Sequence, residues 1–188
     1  GWYYGCGEYG AEGLDSAEVM EKYYPREWLR EPFDPGHIVR SQTKSFSGFF
    51  YDAQEDMQSW IDRSQRYQAF ATHIMTEAFR RDDRMVSNAI HLFIDAWPSG
   101  WMKSIMDCKR IPKQAYFAYR NALAPLLVSL RTDRFAYTVG ETIQIEAFLC
   151  NDTANSGEYT LAFELYTEQN ELTQTRCVHA HTEACHAA

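Results

Sequence analysis

Apolar and polar positions change their period along this chain, and each period predicts an element. From Gln58 to Arg81 the residues Tyr67, Ala71, Ile74 and Ala78 recur at helical spacing, with Arg63, Arg66 and Arg80 mostly elsewhere, which predicts a long amphipathic helix. Met85 to Asp95 switches to alternation. Ile90, Leu92 and Ile94 share one face, and Ala89, His91, Phe93 and Asp95 the other, as in a strand covered by helices on one side. Lys113 to Leu123 returns to the helical period, with Tyr116, Tyr119 and Leu123 on its inner side, Pro112 near its first turn and Pro125 closing it. At the front, the aromatic stretch Trp2 to Cys6 is too short for a helix and reads as a strand, which places Tyr4, Cys6 and Glu8 on one face. A loop from Tyr9 to Asp15 follows, and then a short helix beginning near Ser16, capped by Asp15 or Ser16 and ended with the help of Pro25. Pro25 to about Met57 shows no sustained period and reads as a long aromatic loop that includes Phe46, Phe49, Phe50 and Tyr51.

Beyond Pro125 the runs become short and alternating. Thr142 to Leu149 places Ile143, Ile145, Ala147 and Leu149 on one face, and Thr160 to Tyr166 does the same with Leu161, Phe163 and Leu165, with turn residues between. The expected organisation is β-α-β-α material over 1–128 and an antiparallel all-β module over 129–188.

Composition narrows the function. A hydrophobic content of 45 % in 188 residues supports a core. A net charge of -8, from 26 acidic and 18 basic residues, argues against nucleic acid or an anionic membrane surface as partner. No apolar run approaches the roughly 20 residues of a membrane span, and the chain opens on Gly1 rather than Met, as a cut end does. The 5 cysteines, with no Cys-x-x-Cys, do not form a disulfide framework. Cys177, His179 and His181 carry ligand chemistry for zinc, but period two places them along one strand face, where neighbours seldom converge on one ion. Asn151-Asp152-Thr153 is a formal glycosylation triplet.

The most informative residue is Glu8, in Gly5-Cys6-Gly7-Glu8-Tyr9-Gly10, a carboxylate ending a short strand between glycines that permit close approach of a ligand. Gly7-Glu8-Tyr9-Gly10 with Ala11-Glu12-Gly13-Leu14 resembles the nucleophile segment of glycoside hydrolase family 2, at the end of the seventh strand of a TIM barrel. Asp95-Ala-Trp97-Pro98-Ser-Gly-Trp101, Ile105-Met-Asp107, Pro112-Lys113-Gln-Ala-Tyr116-Phe-Ala-Tyr119 and Ala124-Pro125-Leu-Leu-Val-Ser129 are similar to the family's eighth strand, its Asp-x-Trp-Pro loop, the final barrel helix and the start of a trailing β-sandwich. The resemblance spans Trp2 to about Asn151. One departure is plain: where many members have Trp-Gln-x-Asn-Asp, this chain has His91-Leu92-Phe93-Ile94-Asp95.

The resemblance implies an α/β chain, the last two strands and helices of a TIM (β/α)8 barrel followed by part of an Ig-like antiparallel β-sandwich. It implies a retaining glycosidase acting on β-linked sugars through a covalent glycosyl-enzyme intermediate, with Glu8 as nucleophile. Tyr9, His91, Asp95, Trp97 and Trp101 are the expected substrate contacts, Trp97 as an apolar platform for a sugar ring. Asp95 has a second reading, as the residue that holds the Trp97 loop. No metal and no cofactor enter this reading. The family's acid/base, a Glu after an Asn on the fourth strand, would lie upstream of Gly1, so the chain is expected to need the missing N-terminal barrel half and to be inactive alone. From another class stands a non-catalytic carbohydrate-binding or scaffolding piece.

Overall fold

A computed structural model describes residues 3–38, 54–98 and 102–187. They fall into two compact units, Gly1–Phe79 with Arg84–Leu123, and Arg80–Asp83 with Ala124–Ala188.

The first unit is built on two parallel strands, β1 (Tyr4–Tyr9) and β2 (Met85–Ile90), in the register Tyr4 opposite Met85 through Tyr9 opposite Ile90, with an irregularity between Cys6 and Tyr9. A parallel pair needs a crossover, and here it includes α1 (Ala17–Tyr23), two short 3-10 turns and α2 (Met57–Arg80). Ser16 caps α1 by accepting from the Val19 amide at 3.4 Å, with Glu18 in the first turn where the helix dipole favours an anion. α1 and the loop before it supply Leu14, Met20 and Tyr24 to a core shared with Phe33, Ile38, Trp60, Ile61 and Met102. α3 (Gln114–Ala122) starts after Lys113 and buries Ala115 and Ala122.

Three expectations change. The alternating run after Met85 is strand only as far as Ile90, because β1 ends at Tyr9 and the next backbone groups turn to the 103–106 segment: Leu92 N–H donates to Lys103 O and Leu92 O accepts from Ile105 N–H. α2 buries Trp60 and Ile61 and then a polar row, Ser64, Gln68, Thr72 and Thr76, while Tyr67, Ala71 and Ile74 are only half-buried and Ala78 is exposed. On α3, Leu123 follows the last turn and is exposed. The aromatic loop residues Phe46, Phe49, Phe50 and Tyr51 lie outside the described residues.

The second unit has two small antiparallel sheets. β3 (Leu126–Arg131), β4 (Glu146–Asn151) and β7 (His186–Ala187) form one; β5 (Gly157–Tyr166) and β6 (Leu172–Thr182) form a long hairpin. β4 starts at Glu146, not Thr142, because its partner β3 ends opposite it at Arg131. Ile143 and Ile145 therefore remain exposed and line, with Val128, Leu130, Leu161 and Phe163, an open cleft of about 760 Å³. Asn151 is fully buried, its amide donating to Asn155 O and Glu183 O and its carbonyl accepting from the Thr153 amide and hydroxyl, so the glycosylation triplet is consumed by the fold. Among the described residues the sheets are small and no closed barrel is present, and no helix is long and apolar enough to cross a membrane.

Candidate active site at the ends of two parallel strands

Parallel pairing brings the C-terminal ends of β1 and β2 to one edge. The His91 amide donates to Tyr9 O at 2.7 Å, which sets His91 beside the end of β1. Gly10 makes this fit possible: a Cβ there would stand 2.4 Å from the His91 carbonyl oxygen, backbone that cannot step aside. The Glu8 carboxylate projects from this edge with its side chain 72 % exposed, and its Oε2 lies 3.4 Å from His91 Nε2. The Cys6 thiol, two residues back, donates to the Glu8 carbonyl at 3.3 Å.

Tyr9 takes the opposite side of β1. Its hydroxyl bonds Thr76 Oγ1 at 2.8 Å and Asn88 Oδ1 at 3.2 Å, and its ring meets Phe79 edge-on at 4.8 Å. Burial pushes this phenol up to about 12, against the lowering effect of the Thr76 bond. Tyr9, expected as a substrate contact, packs inward here, because the alternation that exposes Glu8 turns its neighbour to the other side.

Asp95 is buried, its Oδ2 accepts from Ser104 Oγ at 2.5 Å and its amide donates to Met106 O at 3.2 Å, bonds that tie it to the returning loop. Trp97 is 67 % exposed, a free aromatic surface in the loop after Asp95. Trp101 lies outside the described residues. Of the expected contacts, the structure brings His91 to Glu8.

No known family's sequence profile matches the chain, and no curated protein matches it. Among solved structures, a β-D-mannosidase from Dictyoglomus thermophilum superposes with a TM-score of 0.70 at 19 % identity, over 96 % of this chain. The chain folds like a stretch of that glycosidase. It spans 22 % of the other protein's length. At this identity the likeness is one of fold.

Two side chains that hold the edge gave no sign of it in the sequence. Gln68, fully buried, directs Nε2 at the carbonyls of Ala11, Met102, Lys103 and Ser104, at 3.0 to 3.3 Å, and so ties the segment after Glu8 to the segment after Asp95. Gly13 belongs to the same contact, since a Cβ there would stand 2.5 Å from Gln68 Oε1. Lys113 reaches Asp15 Oδ1 and Gly13 O, both at 2.8 Å, and the Tyr24 hydroxyl donates to Asp15 Oδ2 at 2.5 Å. The loop that leaves Glu8 is thus fixed by a buried charge pair.

Proposed function

We propose that this chain is part of a retaining glycoside hydrolase of family 2, formed of the end of a TIM barrel and the start of an Ig-like sandwich, with Glu8 as its nucleophile. The observation that carries the reading is the position of Glu8: an accessible carboxylate at the end of a parallel strand, beside His91, with the loop that follows it fixed by Gln68 and Lys113. The likeness of fold to a β-mannosidase supports the same class of reaction on a β-linked sugar.

In this reading Glu8 attacks the anomeric carbon, a C–O bond forms to the carboxylate, and the bond to the leaving group breaks. The departing oxygen takes its proton from a second carboxylic acid about 5 to 5.5 Å from Glu8. In this reading that acid belongs to the part of the barrel that this chain, which spans 22 % of the mannosidase's length, does not include. Water then releases the sugar with net retention. Trp97 and Trp101 supply apolar surface to the ring.

The test uses the full-length protein and aryl β-glycosides, the β-mannoside first. Glu8→Gly is expected to lose at least about 10⁴-fold in turnover, the scale of removing an attacking residue, and to regain activity with azide, giving the α-glycosyl azide. Turnover unchanged in Glu8→Gly, or no recovery with any small anion, refutes the assignment. A protein that binds these sugars but hydrolyses none is a binding module.

A further inference from the structure

We infer that His91 is a positioning residue for the Glu8 carboxylate and not a contact for the sugar; this rests on the reading of Glu8 as nucleophile. Three observations carry it. Nε2 of His91 faces Oε2 of Glu8 at 3.4 Å, the one ion-pair contact of Glu8 among the described residues. The His91 side chain is 26 % exposed where that of Glu8 is 72 % exposed, so the imidazole is the fixed member and the carboxylate the free one. The backbone around His91 is held from three directions: by its own amide on Tyr9 O, by the close pass of Gly10 over its carbonyl, and by the bonds of Leu92 to Lys103 and Ile105.

An exposed glutamate has three torsions to order before its oxygen can sit in line with an anomeric carbon. A fixed polar group at an ion-pair separation of 3.4 Å from one oxygen favours the conformers that leave the other oxygen free to attack, which is the gain in a nucleophile held near its attack geometry.

The experiment compares His91→Gln, His91→Asn, His91→Ala and Glu8→Gly in the full-length protein on one aryl β-glycoside. The glutamine amide nitrogen occupies the place of Nε2 and the asparagine nitrogen that of Nδ1. His91→Asn and His91→Ala are expected to lose on the order of 10- to 100-fold in kcat, the cost of misplacing a reacting group by about 1 Å, with KM within about twofold of wild type. His91→Gln is expected to restore kcat to within about fivefold. If the alanine variant fails to fold, the contrast between glutamine and asparagine decides. Equal activity of those two variants, or a raised KM at unchanged kcat, overturns the inference while Glu8→Gly remains inactive and rescuable. An active Glu8→Gly removes the nucleophile itself and the inference with it.

Discussion

Replacing Lys113 by Met removes the cation from a pair that water does not reach. The two side chains are 3 % and 2 % exposed, and the pair is separated by 2.8 Å. Met matches the length of the lysine stem but leaves Asp15 with only the Tyr24 hydroxyl of the bonds described above. A buried charge stripped of its partner costs about 3–5 kcal/mol. With a urea slope of about 2 kcal/mol/M, a loss of about 4 kcal/mol lowers the unfolding midpoint by about 2 M. The chain's 5 tryptophans all lie in the first unit, so their fluorescence follows the part that contains the pair. The double variant Lys113→Met with Asp15→Asn removes both charges and is expected to be more stable than Lys113→Met alone, because no unpaired carboxylate is left. Lys109→Met is the control: its pair with Glu18 is 24 % and 68 % exposed, and the midpoint should stay within scatter. A shift of less than about 0.5 M for Lys113→Met, or a double variant that loses the sum of the two single losses, would refute the view that this charge pair fixes the loop after Glu8.

Tyr9→Phe deletes the hydroxyl that joins β1 to Thr76 and Asn88; it is expected to cost about 1 kcal/mol and a few degrees of Tm while kcat/KM in the full-length protein stays within about twofold. A loss above about tenfold at unchanged Tm would return Tyr9 to the substrate site. His181 on β6 is bonded by Glu183 and by its cross-strand neighbour Glu158, and both raise its affinity for a proton above the ordinary value of 6.5. Its contribution to the β5–β6 hairpin is fully present below that ordinary value and is lost as pH rises through the raised one. Amide exchange of the hairpin, corrected for intrinsic rate, should therefore show protection falling as pH rises above that ordinary value, and His181→Gln should flatten the profile; a wild-type profile already flat would exclude the linkage.

The strand and helix periods were legible where neighbours in sequence decide them. β1, α2, α3 and β5 stand near the positions that alternation or helical spacing predicts, and Ser16 caps α1 as its residue type allows. What could not be read was anything set by a partner distant in sequence. β2 stops at Ile90 because β1 has no further residue to pair, and β4 starts at Glu146 because β3 ends at Arg131. Nothing within Thr142 to Ile145 says so.

The larger failure of the apolar pattern lies on α2, and it has a physical cause. A helix that packs on side chains buries an apolar stripe, but the middle of α2 packs on backbone: on the Leu14 amide through Ser64, and on four loop carbonyls through Gln68. Farther along, Thr76 meets the Tyr9 hydroxyl. Buried amides and carbonyls without hydrogen bonds would be costly, so the face that covers them has to be polar. Ser64, Gln68, Thr72 and Thr76 recur every four residues, a period as regular as any apolar stripe. Read with polar residues allowed inside, that row marks the helix face that packs on the loops after Glu8 and Asp95 and, at Thr76, on the side of β1 opposite Glu8. The polar row is thus the mark of a helix that supplies the hydrogen bonds which the loop backbones beside β1 lack.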